Sequence, residues 1–218
     1  MSVPSLPSNY DVSKHVGTGR SDCHLTVGFD QQRRHIPRFI VILHYRPLGQ
    51  TNWEAIARMD HNETSTLGHD VYREGLHVDI DRQSSPEVHL KLKHGSLPAS
   101  RGEVIRRCGE YFAREIDYFI DVYEENHSPG SPPRWPDGGG LPPEWYLNGA
   151  GSAPTLFTEN PVETSMSSES TEDEPEILSL EELSEVLAEA EGTTAEEIER
   201  GARDIEIAPP SEATVVDE

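Results

Sequence analysis

Hydrophobic positions along this chain recur first at every second residue and then at every third or fourth, and the period changes near residue 100. The stretch Arg38–Tyr45 (RFIVILHY) is β-branched and aromatic with apolar residues on both faces, which predicts a strand central in a sheet. Pro37 and Pro47 bound it. A shorter strand is predicted over 24–29 (HLTVGF). Over 52–60 (NWEAIARMD), Trp53, Ala55, Ala57 and Met59 alternate with Glu54, Ile56, Arg58 and Asp60. The short Pro-Leu-Gly-Gln connection before them predicts a hairpin with the preceding strand. Residues 61–75 read as a loop. Beyond it Leu76, Val78 and Ile80 alternate with His77, Asp79 and Asp81, and Val88, Leu90 and Leu92 with Glu87, His89, Lys91 and Lys93. Both patterns predict half-exposed strands.

Ser100 and Glu103 have the spacing of a capping box, and from there the period is helical. Val104, Ile105, Cys108, Tyr111, Phe112, Ile116, Phe119, Ile120 and Tyr123 predict one amphipathic helix of about six turns, ending near Asn126. Its stripe is wide enough to cover one sheet face. The expected fold class is therefore α+β, a four- or five-stranded mainly antiparallel sheet with one long C-terminal helix across it. Two further stripes, around 180–187 and 198–205, predict a pair of acidic amphipathic helices. Helices of that length need a surface to pack on.

The expected organisation is a loose N-terminal arm (1–22), the α+β domain (23–127), a disordered Pro/Gly/Ser-rich linker (128–175), the acidic helices (176–207) and a disordered C-terminus (208–218). Within the linker, Trp135, Trp145 and Tyr146 are expected to tuck against the domain or to serve as a docking motif. The tail is expected to dock reversibly, with the polar sheet face around Arg58, His77, His89 and Lys91 as its landing site in cis, or to bind a separate partner.

Charge sharpens this division. Residues 1–127 hold 15 Lys+Arg and 18 Asp+Glu, whereas 128–218 hold 3 and 22, so a near-neutral module precedes an extension of net −19. All ten His and both Cys lie in the first part. So acidic a chain cannot wrap a nucleic acid by charge alone, although its first part can touch one locally. Only three of the 18 basic residues are Lys, a bias that fits a high-salt cytoplasm. The two Cys are expected to be reduced and partly buried. No apolar run is long enough to span a membrane, and no basic-then-apolar leader opens the chain, so a cytoplasmic location is expected.

The chain has no Walker loop, no dinucleotide glycine fingerprint, no Cys-x-x-Cys pair and no nucleophile elbow. What remains is a polar constellation. If the apolar members of the strands face the helix, Arg58, Asp60, His77, Asp79, His89 and Lys91 project from the opposite face, and the loop adds His61, His69 and Asp70. The candidate catalytic residues are Arg58, Asp60, His69, His77 and Asp79. Such a set has the parts for acid–base cleavage of RNA: a His to take the 2′-hydroxyl proton, a second group to protonate the leaving oxygen, and a cation for the phosphate. That chemistry needs no cofactor. The same His and Asp could instead hold a divalent metal, or simply form the solvated face of an open sheet.

The stretches RFIVILHYRP, WEAIARMDHN, GHDVYREGLHVDI and DYFIDVYEEN resemble a group of small uncharacterised archaeal and bacterial α+β domains. Some members of that group are described as toxin components of toxin–antitoxin pairs. The resemblance covers about 36–126 and places its motif on Arg58, Asp60, His61, Gly68, His69 and Asp70. It implies a toxin-like domain acting on RNA, with a cognate partner protein. The alternatives are a non-catalytic protein-interaction module and a metal-dependent hydrolase.

Overall fold

The computed structural model describes residues 3–65, 69–130 and 175–216. Trp135, Trp145, Tyr146 and nearly all of the expected linker fall outside them, as does Gly68.

The described strands are β1 (Val12–Gly17), β2 (Cys23–Asp30), β3 (Arg38–Tyr45), β4 (Glu54–Asn62), β5 (His77–Ile80), β6 (Val88–Lys91), β7 (Ile177–Leu178) and β8 (Thr214–Val216). They make one sheet in the order β7-β1-β2-β3-β4-β5-β6-β8. All its pairings are antiparallel except the short parallel one between β1 and β7. The α+β class and mainly antiparallel sheet hold, but the four or five strands expected become eight. Two of the added strands, β1 and β8, came from stretches read as loose or disordered, and β7 from the start of the segment read as an acidic helix. Within the supposed arm, Val12 and Val16 alternate with Ser13 and His15 too briefly to stand out among Ser, Pro and Gly. The strands β7 and β8 are two and three residues long and exist only because an edge was there to pair with.

The inner face of the sheet carries Leu25, Val27, Phe29, Phe39, Val41, Leu43, Met59, Val78, Ile80 and Leu90, all buried. The helices that cover it are α2 (Arg101–Arg114) and α3 (Ile116–Tyr123). Ser100 caps α2 by accepting the Glu103 N–H. The single six-turn helix expected is thus corrected to two, broken at Glu115, whose φ of −102° and ψ of 19° leave the helical region. The break divides the stripe: α2 packs on β3, α3 on β4 and β5. A straight rod cannot stay in contact with strands that twist away beneath it. A one-turn helix, α1 (Val71–Glu74), lies in the stretch read as a loop, with Asp70 capping the Tyr72 N–H and Gly75 ending it at φ 89°.

The acidic extension is part of this fold rather than a loosely docked tail. The helices α4 (Leu180–Glu191) and α5 (Ala195–Asp204) open on Ser179 and Thr194, each with a complete capping box. They pack on α2, burying Leu183, Leu187 and Ile198 fully. Close approach depends on two glycines of α2. A Cβ at Gly102 would lie 2.9 Å from Ile198 Cδ1, and one at Gly109 would lie 3.1 Å from Leu180 Cδ2. The Glu191 carboxylate accepts the Arg101 and Gly102 N–H groups at 2.9 and 3.1 Å, so the extension satisfies orphan donors at the start of α2. Within the C-terminal stretch expected to be disordered, Thr214–Val216 pair with β6 after a 3-10 turn at Pro210–Glu212. The expected landing of this segment on the polar sheet face is therefore overturned. Its stripes found apolar surface on the helical side, where burial is favourable, and left the polar face alone.

Candidate functional site on the polar sheet face

Strand register arranges the outer face in transverse rows. One row runs from His15 through Thr26, Ile42, Arg58, Asp79 and His89 to Val216. The next holds Gly28, Ile40 and Asp60, and beyond them the pair His77–Lys91. Continuing the β4–β5 register by two residues sets Asp60 across from His77. Ile56 does not belong to this face: a bulge opposite Leu43 and His44 turns it inward beside Ala57. At one end of the face the Tyr10 ring covers Gly28, and the Arg38 guanidinium lies 4.3 Å from that ring.

Between β4, β5, β6 and α1 the face sinks into a concavity of about 550 Å³. Arg58, Asp60, His69, His77 and Asp79 all line it, together with Arg73, Glu74, His89, Lys91 and Val216. The five candidate residues are thus brought together. Of the other motif positions, His61 is on the opposite face, fully buried between Phe39 and Tyr72. Its Nδ1 accepts the Val71 N–H and its Nε2 has no hydrogen bond, so it belongs to the core. Asp70 is spent on capping α1 and pairing with Arg73.

Two hydrogen-bonded chains organise the concavity. In the first, His69 Nδ1 is 2.7 Å from Glu74 Oε2, and His69 Nε2 is 2.7 Å from His77 Nδ1. Both His77 Nδ1, at 3.0 Å, and His69 Nε2, at 3.3 Å, face the Gly75 carbonyl, which can only accept, and the shorter contact assigns the hydrogen to His77. Glu74 then takes the Nδ1–H of His69, His69 Nε2 accepts from His77, and the lone pair of His77 is left on Nε2. Burial, with His69 next, pushes the His77 pKa below its ordinary value and keeps that lone pair available at neutral pH. Across the sheet, burial pushes the Asp60 carboxyl upward, opposed by His69 and reinforced by Asp79.

In the second chain Asp79 is the hub. Its Oδ2 accepts from Arg58 Nε at 3.0 Å and its Oδ1 from His89 Nδ1 at 2.6 Å, while Arg58 Nη2 reaches Glu87 at 2.8 Å. Asp79, Glu87 and His89 could supply ligand atoms to one metal ion. The Arg58 guanidinium already bridges both carboxylates, however, and the Nδ1 of His89 is turned to Asp79 as a donor. A cation there would have to displace the arginine.

Glu74 and Glu87 were missed by sequence reasoning. The signal for Glu74 was present, because Asp70 and Gly75 are start and stop residues of a short helix. For Glu87 the signal was the alternation that sets it on the same face as His89 and Lys91.

A second histidine cluster shares this face. His15 Nδ1 is 3.1 Å from His24 Nε2, and His44 Nε2 is 2.9 Å from the Thr26 hydroxyl. Burial pushes His24 and His44 down to about 4, so both are neutral at pH 7.

A family pattern spans residues 13–129, from β1 to just beyond α3. The chain belongs to the DUF7718 family, domains of unknown function. Every residue of the concavity except Val216 lies inside the DUF7718 region, and the whole of 175–216 lies outside it. No curated protein and no solved structure matches the chain. Among the described residues no helix is long and apolar enough to cross a membrane.

Proposed function

We propose that this DUF7718 domain cleaves RNA by general acid–base catalysis in the β4–β5–β6 concavity. The observation that carries the reading is the Glu74–His69–His77 chain, which leaves an acceptor nitrogen on His77 across the sheet from a carboxyl held toward its protonated form. His77 Nε2 removes the proton of a 2′-hydroxyl. The 2′-oxygen attacks phosphorus, the bond to the 5′-oxygen breaks, and Asp60 gives that oxygen a proton. Lys91, opposite His77, and Arg58 face the charge that builds on the phosphoryl oxygens. Two imidazoles tied to a carboxylate support this over the metal-hydrolase reading, since Arg58 already occupies the cation position between Asp79 and Glu87. RNA cleavage also accounts for a toxin-like role, in which a cognate protein would have to cover the concavity.

The test uses the full chain, because 175–216 caps α2 and pairs with β6. Purified protein should cut single-stranded RNA, and its expression should slow host growth. His77→Ala should abolish both while the protein remains folded. Equal cleavage by wild type and His77→Ala overturns the reading.

A further inference from the structure

The second histidine cluster adjoins the concavity, and the chemistry proposed there makes no use of it. His24 and His44 form the row next to that of Thr26, Ile42 and Arg58, two residues along β2 and β3 and on the same face. At its outer edge the His24 and Trp53 ring centroids are 5.9 Å apart, and the Arg46 guanidinium lies 4.7 Å from the Trp53 ring centre. Trp53 and Arg46 are half-buried, as are Ile40 and Ile42 between this cluster and the concavity. From one end of the face to the other there are thus an aromatic ring with a stacked cation, an apolar floor, and a polar concavity with Lys91 and Arg58.

Charge distinguishes this face from the other side of the molecule. Residues 175–216, which cover the helical layer, hold 12 Asp+Glu and 2 Arg. On the polar face Arg46, Arg58, Arg73 and Lys91 are set against Asp60, Glu74, Asp79 and Glu87. A polyanion is repelled by the helical side and meets a balanced surface here. A duplex would present its bases only edge-on, whereas a single strand can lay a flat base on the Trp53–Arg46 pair and reach the concavity with its backbone.

We propose that Trp53 and Arg46 form a base-stacking subsite for single-stranded RNA whose phosphate occupies the Arg58–His77 concavity. The subsite rests on the reading above for its substrate class. The neutral histidines hold it in place: His24 braces the Trp53 ring and His44, tied to Thr26, fixes β3 beneath it. Stacking reads no base edge, so the subsite confers a preference for length and single-strandedness rather than for sequence.

The test measures binding of the full chain to a fluorescently labelled six-nucleotide RNA with 2′-O-methyl groups, which removes the attacking hydroxyl and separates binding from cleavage. Trp53→Ala should weaken binding about tenfold, the range expected for one lost stacking contact. Trp53→Phe should restore most of it, and Arg46→Gln should fall between. Shortening the probe to two nucleotides should make wild type and Trp53→Ala bind alike, because a dinucleotide at the concavity does not reach the ring. Unfolding temperatures show whether Trp53→Ala is folded, and Trp53→Phe carries the test if it is not. Equal binding of the six-nucleotide probe by wild type and Trp53→Ala, or equal affinity for the matching duplex, overturns the subsite. Binding that depends on Trp53 without cleavage of unmodified RNA would leave the subsite standing and remove the catalytic reading.

Discussion

The two faces of the central sheet are written by the same strands and do opposite work. On β2, Leu25, Val27 and Phe29 point into the core, and His24, Thr26 and Gly28 point away from it; on β5, Val78 and Ile80 do the first, His77 and Asp79 the second. The inner face gains its stability from burial under α2 and α3, and α2 lies in turn under α4 and α5. The outer face holds its histidines in two environments. In the concavity they are anchored by Glu74 and Asp79, which fix tautomers and leave one lone pair available. Around His24 and His44 burial dominates, and the rings are neutral packing groups. One residue type therefore keeps an available lone pair or packs as a neutral ring according to whether a carboxylate or burial dominates beside it.

The largest effect that would break this division is on activity. His77→Ala should lower RNA cleavage by about 10²–10⁴-fold, the usual contribution of a positioned base. Its urea midpoint should stay close to that of wild type, because a half-exposed side chain carries little stability. A large loss of stability would place His77 with the core. On the inner side, Phe112→Asp under the sheet and Leu187→Asp between α4 and α2 should each cost roughly 3–5 kcal/mol by burying an unpaired charge. Denaturant titration of Leu187→Asp is the sharper test, since a near-wild-type midpoint would return the extension to a loosely held tail.

The histidines of the second cluster should appear in the acid limb of stability. The folded pKa values of His15, His24 and His44 lie below the ordinary value of 6.5, so the unfolded chain binds more protons as pH falls. Stability should be flat above about pH 6.5 and decline from there toward pH 4, by on the order of 3 kcal/mol. His44→Gln should flatten part of that limb, and thermal unfolding across the window measures it. The smallest effect concerns the cap. Glu191→Ala removes the acceptor for the first N–H groups of α2 and should cost about 1 kcal/mol, read from the urea midpoint.

Much of this arrangement could be read from periodicity. Alternation along β4, β5 and β6 assigned Arg58, Asp60, His77 and Asp79 to the face away from the helix, and pairing those strands brings them together. Only the backbone could reveal the exceptions. His61 continues the β4 pattern inward, where Phe39 and Tyr72 enclose it, so proximity in sequence to Asp60 misleads. The strands β7 and β8 are too short to show a pattern and depend on a neighbour's free edge, and β1 was hidden by the Ser, Pro and Gly around it. The extension showed its stripes plainly, but their target was the rear of α2, a surface marked by Gly102 and Gly109 rather than by any apolar run.

The ends left on cleaved RNA test the central claim most directly. Full-length protein incubated with single-stranded RNA and a chelator should yield 2′,3′-cyclic phosphate and 5′-hydroxyl termini, fastest below pH 6.5, where Asp60 is held toward its protonated form and His77 still carries its lone pair. Cleavage that requires a divalent metal and leaves 3′-hydroxyl termini would contradict the account, and would assign the chemistry to Asp79, Glu87 and His89.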